Sequence, residues 1–191
     1  MRAISIALWV IAPVVLSGLT HVAVIKLGLF RKLASVPLDF GATSGGKRLF
    51  GENKTLRGAV VMIAATALWV LLQTRLSAFL GWRDELSPPF ECLHPIAWGA
   101  LVGAGYVAGE LPNSFVKRRL GIAAGAAARG SLRVVFWTID QVDSLVGVMV
   151  FLAAVWHPSM ATVAALFGVT LLVHPIVALV MYFLGLKSRV G

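Results

Sequence analysis

Residues Ser131 to Trp156, SLRVVFWTIDQVDSLVGVMVFLAAVW, form a nearly continuous apolar run with two carboxylates, Asp140 and Asp143, close to its middle. A helix crosses a bilayer with roughly 20 mostly apolar residues. This run is long enough, yet an ionised side chain at mid-membrane costs roughly 2.5 to 3.5 kcal/mol on insertion scales. Asp140 and Asp143 are spaced i, i+3 and so share one helix face. A pair of this kind has to face a polar cavity, bind cations or take up a proton. It is the first place to look for function.

The rest of the chain has the same character. Of its 191 residues, 59% are hydrophobic and 13% charged, too much apolar surface for a soluble domain to hide. The pattern predicts an all-α, polytopic membrane bundle of about five transmembrane helices, with residues 1–191 forming a single domain. The expected spans are 3–27, kinked at Pro13, then 58–80, 94–111, 131–156 and 160–185, the last with Pro175 inside it. The first is a poor signal peptide, with only Arg2 ahead of it and no small-residue cleavage site. The third is short and glycine-rich, and its Gly99-x-x-x-Gly103 spacing permits close helix contact and a homodimer. Cys92 is the only cysteine, which excludes an intramolecular disulfide and a cysteine-built metal site.

Charge fixes the expected orientation. Residues 26–57 carry Lys26, Arg31, Lys32, Lys47, Arg48, Lys54 and Arg57; residues 112–133 carry Lys117, Arg118, Arg119, Arg129 and Arg133; the tail adds Lys187 and Arg189. The opposite side has only Arg2, Arg75 and Arg83, together with Asp84, Glu85 and Glu91. The positive-inside rule places the basic loops and the C-terminus in the cytoplasm and the N-terminus outside. A net charge of +9 on such a chain points to anionic lipid headgroups or a phosphorylated substrate rather than to nucleic acid.

Basic loops commonly do no more than set topology, but these are interleaved with Gly, Ser, Thr and Asn, which let backbone amides approach a phosphate. Lys54-Thr55-x-Arg57 sits where a helix begins, and free N-terminal amides favour anions. Asn113-Ser114-x-x-Lys117-Arg118-Arg119 lies on the side from which Asp140 opens. Magnesium often takes only one or two carboxylates and fills its shell with substrate phosphates and water. Asp140 and Asp143 meet that minimum, and Glu110 is a further candidate ligand. The combination suggests a phosphorylated substrate with a divalent cation. Pairing of the two Asp with Arg129 or Arg133, purely to pack helices, is the structural alternative. Asp39 and Glu52 read as solvated residues of a flexible loop. Gly51-Glu52-Asn53-Lys54-Thr55 lacks the spacing of a P-loop. His21, His94, His157 and His174 do not suggest a zinc site, and the six Trp are expected mostly at span ends or on lipid faces.

The stretches PLDFG, GENKTLRG, GELPNSFVKRRLGI and IDQVDS, between Pro37 and Leu145, resemble the CDP-archaeol synthases, small relatives of the CDP-diacylglycerol synthases. Ser114, Lys117 and Arg118, followed by Asp140 and Asp143, match the Ser-x-x-Lys-Arg and acidic elements of the larger enzymes, with Gln141 where those enzymes place arginine. The resemblance implies a magnesium-dependent transfer of a cytidylyl group from CTP to a lipid phosphate, an unsaturated archaeal-type ether lipid phosphate in this family, at the cytoplasmic face of the plasma membrane. A lipid phosphate oxygen would attack the α-phosphorus of CTP and pyrophosphate would leave. Asp140 and Asp143 would hold the cation. Lys117, Arg118, Lys54 and Arg57 would bind phosphates, with Lys117 at the reacting centre, and Asn53, Asn113 and Ser114 would orient the substrates. Two other classes compete. An ion-coupled transporter would use the acidic pair as a cation or proton site, although no internal repeat is visible. A scaffold would not need the pair at all.

Overall fold

In the computed structural model, residues 2–82, 93–183 and 185 are described. Five long helices alternate in direction: α1 (Arg2–Lys26), α3 (Leu56–Phe79), α4 (Pro95–Arg119), α5 (Leu132–Leu152) and α6 (Met160–Phe183). A short helix, α2 (Arg31–Ala34), and a two-stranded hairpin, β1 (Thr43–Ser44) with β2 (Lys47–Arg48), lie between α1 and α3. The long helices close into a ring in the order α1, α3, α4, α5, α6 and back to α1. The expected all-α membrane bundle is therefore present. Four of the five, α1, α3, α5 and α6, are long and apolar enough to cross a bilayer. Large apolar side chains such as Leu68, Leu72, Val150 and Leu172 are exposed on the outside, while Ser17, Thr66, Asn113 and Gln141 are buried within. That inversion suits a chain whose solvent is lipid.

The helix expected over 94–111 differs most from expectation. It runs from Pro95 to Arg119, straight through Pro112, and its polar second half keeps it below the hydropathy of a self-sufficient span. Its neighbours supply what it lacks, since α4 is enclosed by α3 on one side and α5 on the other. Glycines make this possible. A Cβ at Gly99 would lie 2.6 Å from the Ala67 Cα, and one at Gly103 would lie 2.7 Å from the Ile63 Cα. On the other side, Gly105 and Gly109 cross Gly147 of α5 in backbone contact. The Gly99-x-x-x-Gly103 stripe is thus used inside the chain, so it is not available as the homodimer surface its spacing permits.

Tryptophan placement also departs from expectation. Trp9, Trp98 and Trp156 are buried in the core, where Trp98 and Trp156 meet edge to face at 5.6 Å. Their indoles fill space between helices that small residues bring together. Trp82 and Trp137 are exposed, as a lipid-facing indole would be. Polar bonds tie α1 to α3: Thr66 Oγ1 donates to Ser17 Oγ at 3.0 Å, Trp69 Nε1 to Thr20 Oγ1 at 3.1 Å, and Gln73 Nε2 to the Trp9 carbonyl at 3.0 Å.

The segment between α1 and α3 is a folded cap, not a flexible loop. Asp39 is buried at its centre and not solvated. It accepts from the Arg48 guanidinium, from the Phe50 amide at 3.2 Å and from the Gly41 amide at 3.1 Å. Burial pushes its carboxyl pKa up, but the Arg48 hydrogen bond and the two backbone amides outweigh that and bring it down to about 2. Glu52 is exposed, as expected. The Leu38 amide donates to the Lys54 carbonyl and the Leu56 amide to the Val36 carbonyl, each at 2.8 Å, closing the base of the cap. The cap is fastened to α4 by Arg119, whose guanidinium donates to the Ser44 carbonyl, to that of Lys47 at 2.9 Å and to that of Arg48 at 2.7 Å. Arg83, Asp84, Glu85, Glu91, Cys92, Lys187 and Arg189 lie outside the described residues.

Candidate active site

The continuation of α4 past Pro112 builds the site. Glu110, Asn113 and Lys117 follow at i, i+3 and i+7, so one helix face presents a carboxylate, an amide and an ammonium to α5. Opposite them, Asp140 and Asp143 share a face of α5. Asn113 bridges the two: its Nδ2 donates to Asp140 Oδ1 at 2.6 Å and to Asp143 Oδ2 at 2.7 Å. Lys117 Nζ contacts both oxygens of Asp140, at 2.5 and 2.7 Å, and lies over the Phe136 ring at 5.5 Å. The ion partner of Asp140 among the described residues is therefore Lys117, and not Arg129 or Arg133. Ser144 completes the acidic end. Its amide donates to Asp143 Oδ1 at 2.7 Å, and its hydroxyl lies 3.2 Å from that oxygen and 3.4 Å from Glu110 Oε1. The other Glu110 oxygen takes an ion pair from Lys54.

These groups, Ser144 apart, line a polar cavity of about 790 Å³. Asn53 and Lys54 reach it from the cap, Glu110, Asn113, Ser114, Lys117 and Arg118 from α4, and Asp140 and Asp143 from α5. Gly51 brings the cap this close. Its φ is +102°, and a Cβ there would crowd Ala124, Asn53 Oδ1 and Arg118 Nη1 at 3.2 to 3.4 Å. The cavity thus gathers every sequence-derived candidate except Arg57. Arg57 lies in the first turn of α3, which Thr55 caps by accepting from the Gly58 amide at 3.3 Å, and it is not part of the cavity lining. Three contributors were not singled out from the sequence. Ser144 adjoins Asp143 and lies one turn beyond Asp140, a spacing that could have revealed it. Ser144 itself borders an adjoining apolar cavity; Arg133, weighed from the sequence only as an ion partner of the Asp pair, and His174 are in the polar lining.

The donor set can be tested against a hard cation. Among the described residues, no three or more His, Cys, Asp or Glu side chains form a self-sufficient metal cluster. Two carboxylates and one amide do converge, and Asn113 Oδ1 is buried with no hydrogen-bond partner among the described residues. The two carboxylates fit magnesium, which often takes only one or two and completes its shell with phosphates and water; the Asn113 amide meets them through its nitrogen, a donor and not a ligand.

An apolar cavity of about 210 Å³ adjoins this polar one, between α1, α4, α5 and α6. Val10, Val14, Leu145, Val173 and Val177 form part of its wall. A polar, cation-rich cavity next to an apolar one, both within a membrane bundle, is suited to bringing a water-soluble anion together with the headgroup of a lipid.

The sequence matches the family described as "CarS-like: CDP-archaeol synthase" over residues 2–190. It is similar to the CDP-archaeol synthase of Methanopyrus kandleri, 33% identical over 155 residues, which cover 80% of this chain and 78% of that protein. That of Halobacterium salinarum is 34% identical over 163 residues, 80% and 82% of the two chains, and that of Aeropyrum pernix 32% over 156 residues, 80% and 76%. A solved structure of an intramembrane enzyme for archaeal membrane lipid biosynthesis has the same fold, with a TM-score of 0.61 at 24% identity, covering 88% of this chain and 89% of the other. A transporter finds no support in these relatives. The chain belongs to the CDP-archaeol synthase family.

Proposed function

We propose that the protein transfers a cytidylyl group from CTP to a lipid phosphate, giving a CDP-lipid and pyrophosphate, and that its acceptor is an unsaturated ether lipid phosphate. The observation that carries this reading is the Asp140–Asn113–Asp143 bridge on the wall of a cavity that also presents Lys54, Lys117 and Arg118. The family's activity, CDP-archaeol synthesis, supports it. Both substrates are anions, so the site's first task is neutralisation. Lys54, Lys117 and Arg118 supply three cations to phosphate oxygens, and the guanidinium of Arg118 suits bidentate contact. Asn53 and Ser114 would orient the nucleotide. A phosphomonoester oxygen is already nucleophilic, so no covalent enzyme intermediate is required. It attacks the α-phosphorus, the bond to the β-phosphate oxygen breaks, and pyrophosphate carries the charge away.

Asp140 and Asp143 would hold a magnesium ion. When bound, that ion supplies Lewis-acid stabilisation of charge on the phosphate oxygens. Glu110, engaged by Lys54 and close to Ser144, would tune this group from one side.

The same geometry supports a reading of the membrane side. The cap, the C-terminal end of α4 and the start of α5 meet at one end of the bundle, where Lys26 also donates to the Gly185 carbonyl at 2.9 Å. The positive-inside rule would put that end, and with it the site, in the cytoplasm, in the plasma membrane, with anionic headgroups around the basic rim. The test is purified protein with magnesium, radiolabelled CTP and a panel of ether and diacyl lipid phosphates. Label should enter one class of lipid and be lost in Asp143→Asn. No transfer to any acceptor by folded protein would overturn the proposal.

A further inference from the structure

A further cavity, of about 810 Å³, is bounded by residues 120–133, the connection between α4 and α5. It shares four lining residues with the polar cavity, Ala126, Ala127, Ala128 and Arg133, so the two adjoin. Arg129 lines the further cavity only, and no described residue of that lining is acidic. The two arginines are uncompensated. They are the alternative partners of the acidic pair, but Lys117 and Asn113 take those contacts. Both are exposed, and neither guanidinium has a hydrogen-bond or ion partner among the described residues. A cation that nothing holds can turn to an anion in the cavity it borders. Arg133 precedes Asp140 by seven residues, or two helical turns. It therefore stands on the same face of α5, roughly 10 Å nearer the helix start. From Asp140, positive charge runs outward along this face and into the further cavity. Setting topology needs basic residues on this side, but not their convergence on one cavity.

We infer that this cavity binds inorganic pyrophosphate, the leaving group of the transfer, on its way out of the reaction site. The inference rests on the cytidylyltransferase reading above and adds to it a site for the second product. Pyrophosphate is small, water-soluble and multiply charged, and guanidinium groups suit bidentate contact with it. Arg133 meets it where the two cavities adjoin, and Arg129 holds it beyond that point. The anion moves intact: its bond to the α-phosphorus has already broken, and no bond changes in this step. A lipid headgroup phosphate has the same binding chemistry. The leaving anion is favoured because the cavity adjoins the polar one and has no lining residue in common with the apolar one.

The test is equilibrium binding of ³²P-pyrophosphate to purified protein in neutral detergent with magnesium. The polar cavity is first saturated with CTP carrying a methylene bridge between its α- and β-phosphorus, which cannot release pyrophosphate. Wild type should still bind one pyrophosphate per chain. Arg129→Gln should weaken that binding roughly tenfold or more, the range for a hydrogen bond between charged groups. Ala123→Asp adds a carboxylate at an exposed position that lines the further cavity and not the polar one, and it should weaken binding as well. Retained binding of the CTP analogue, within about threefold of wild type, shows that each variant is folded. No pyrophosphate held by analogue-filled wild type would overturn the inference, as would wild-type affinity in both variants.

A second arm separates the two phosphate sources. The wild-type measurement is repeated in nanodiscs of phosphatidylcholine, with and without phosphatidylglycerol. Pyrophosphate affinity should agree within about twofold between the two. Loss of pyrophosphate binding on adding the anionic lipid would assign the cavity to a headgroup and overturn the inference. Wild type that transfers no label from CTP refutes the broader function; wild type that transfers, with no pyrophosphate held beside the analogue, refutes only this assignment.

Discussion

Gly109→Ala tests whether helix spacing alone sets the acidic pair. Gly109 of α4 crosses α5 at Gly147 and the Asp143 carbonyl, and an added methyl would lie 3.0 Å from the Gly147 Cα and nearer still to that carbonyl. Ordinary carbon contacts lie at roughly 3.5 to 4.0 Å, so the helices would have to part by about 1 Å. Asn113 is one turn further along the same face, and its bonds to Asp140 and Asp143 are 2.6 and 2.7 Å long. Parting by about 1 Å stretches both to roughly 3.6 Å, outside hydrogen-bonding range. Overpacking of this kind costs about 1 to 3 kcal/mol of stability, while misplacement by about 1 Å at a reacting centre costs on the order of 100-fold in rate. The expected result is a modest fall in melting temperature in detergent and a fall of about 100-fold in kcat/KM for cytidylyl transfer. Gly168→Ala in α6 is the control: nothing lies within 4 Å of the added methyl, and alanine is the better helix former by about 1 kcal/mol. It should transfer as wild type does. Gly109→Ala with activity within about threefold of wild type and an unchanged melting temperature would refute the argument.

The remaining predictions concern single groups. The Asp39 pKa is lowered from 3.8 to about 2 in the folded cap, so the stability it contributes is complete above pH 4 or so and is lost as pH falls through about 2. Acid unfolding followed by limited proteolysis should show the wild-type cap opening across that window, and Asp39→Asn should open already at neutral pH, with a loss of about 1 to 3 kcal/mol. Lys117→Met should lower kcat/KM at least about tenfold, through loss of one charge-assisted phosphate contact, and added magnesium should not restore it. Chelation with EDTA should stop transfer, magnesium should restore it, and Asp140→Asn should raise the magnesium concentration needed for half-maximal rate.

Much of this architecture is legible in the sequence because hydropathy acts over whole helices. Four spans are long enough that no single boundary matters, and Asp140 and Asp143 stand out against valines and leucines. What was not legible has local causes. Pro112 reads as the end of a helix, yet α4 passes through it, because enclosure by α3 and α5 outweighs one lost backbone bond. With the helix cut short at that residue, the i, i+3, i+7 face of Glu110, Asn113 and Lys117 looks like a loop. Asp39 looks solvated because its partners, Arg48 and the Phe50 amide, come from a hairpin that composition does not predict. Arg57 is basic and three residues from Lys54, but α3 begins between them: Lys54, in the cap, lines the cavity and Arg57, in the first turn of the helix, does not.

The central claim is the identity of the group transferred, and the position of the label in CTP tests it most directly. Folded wild-type protein would be given magnesium, the acceptor lipid phosphate, and CTP labelled with ³²P at either the α- or the γ-phosphate. The account predicts that the α-label appears in the lipid and the γ-label only in pyrophosphate. Lipid labelled from the γ-position would mean phosphoryl transfer and contradict the account, as would absence of label in lipid from either.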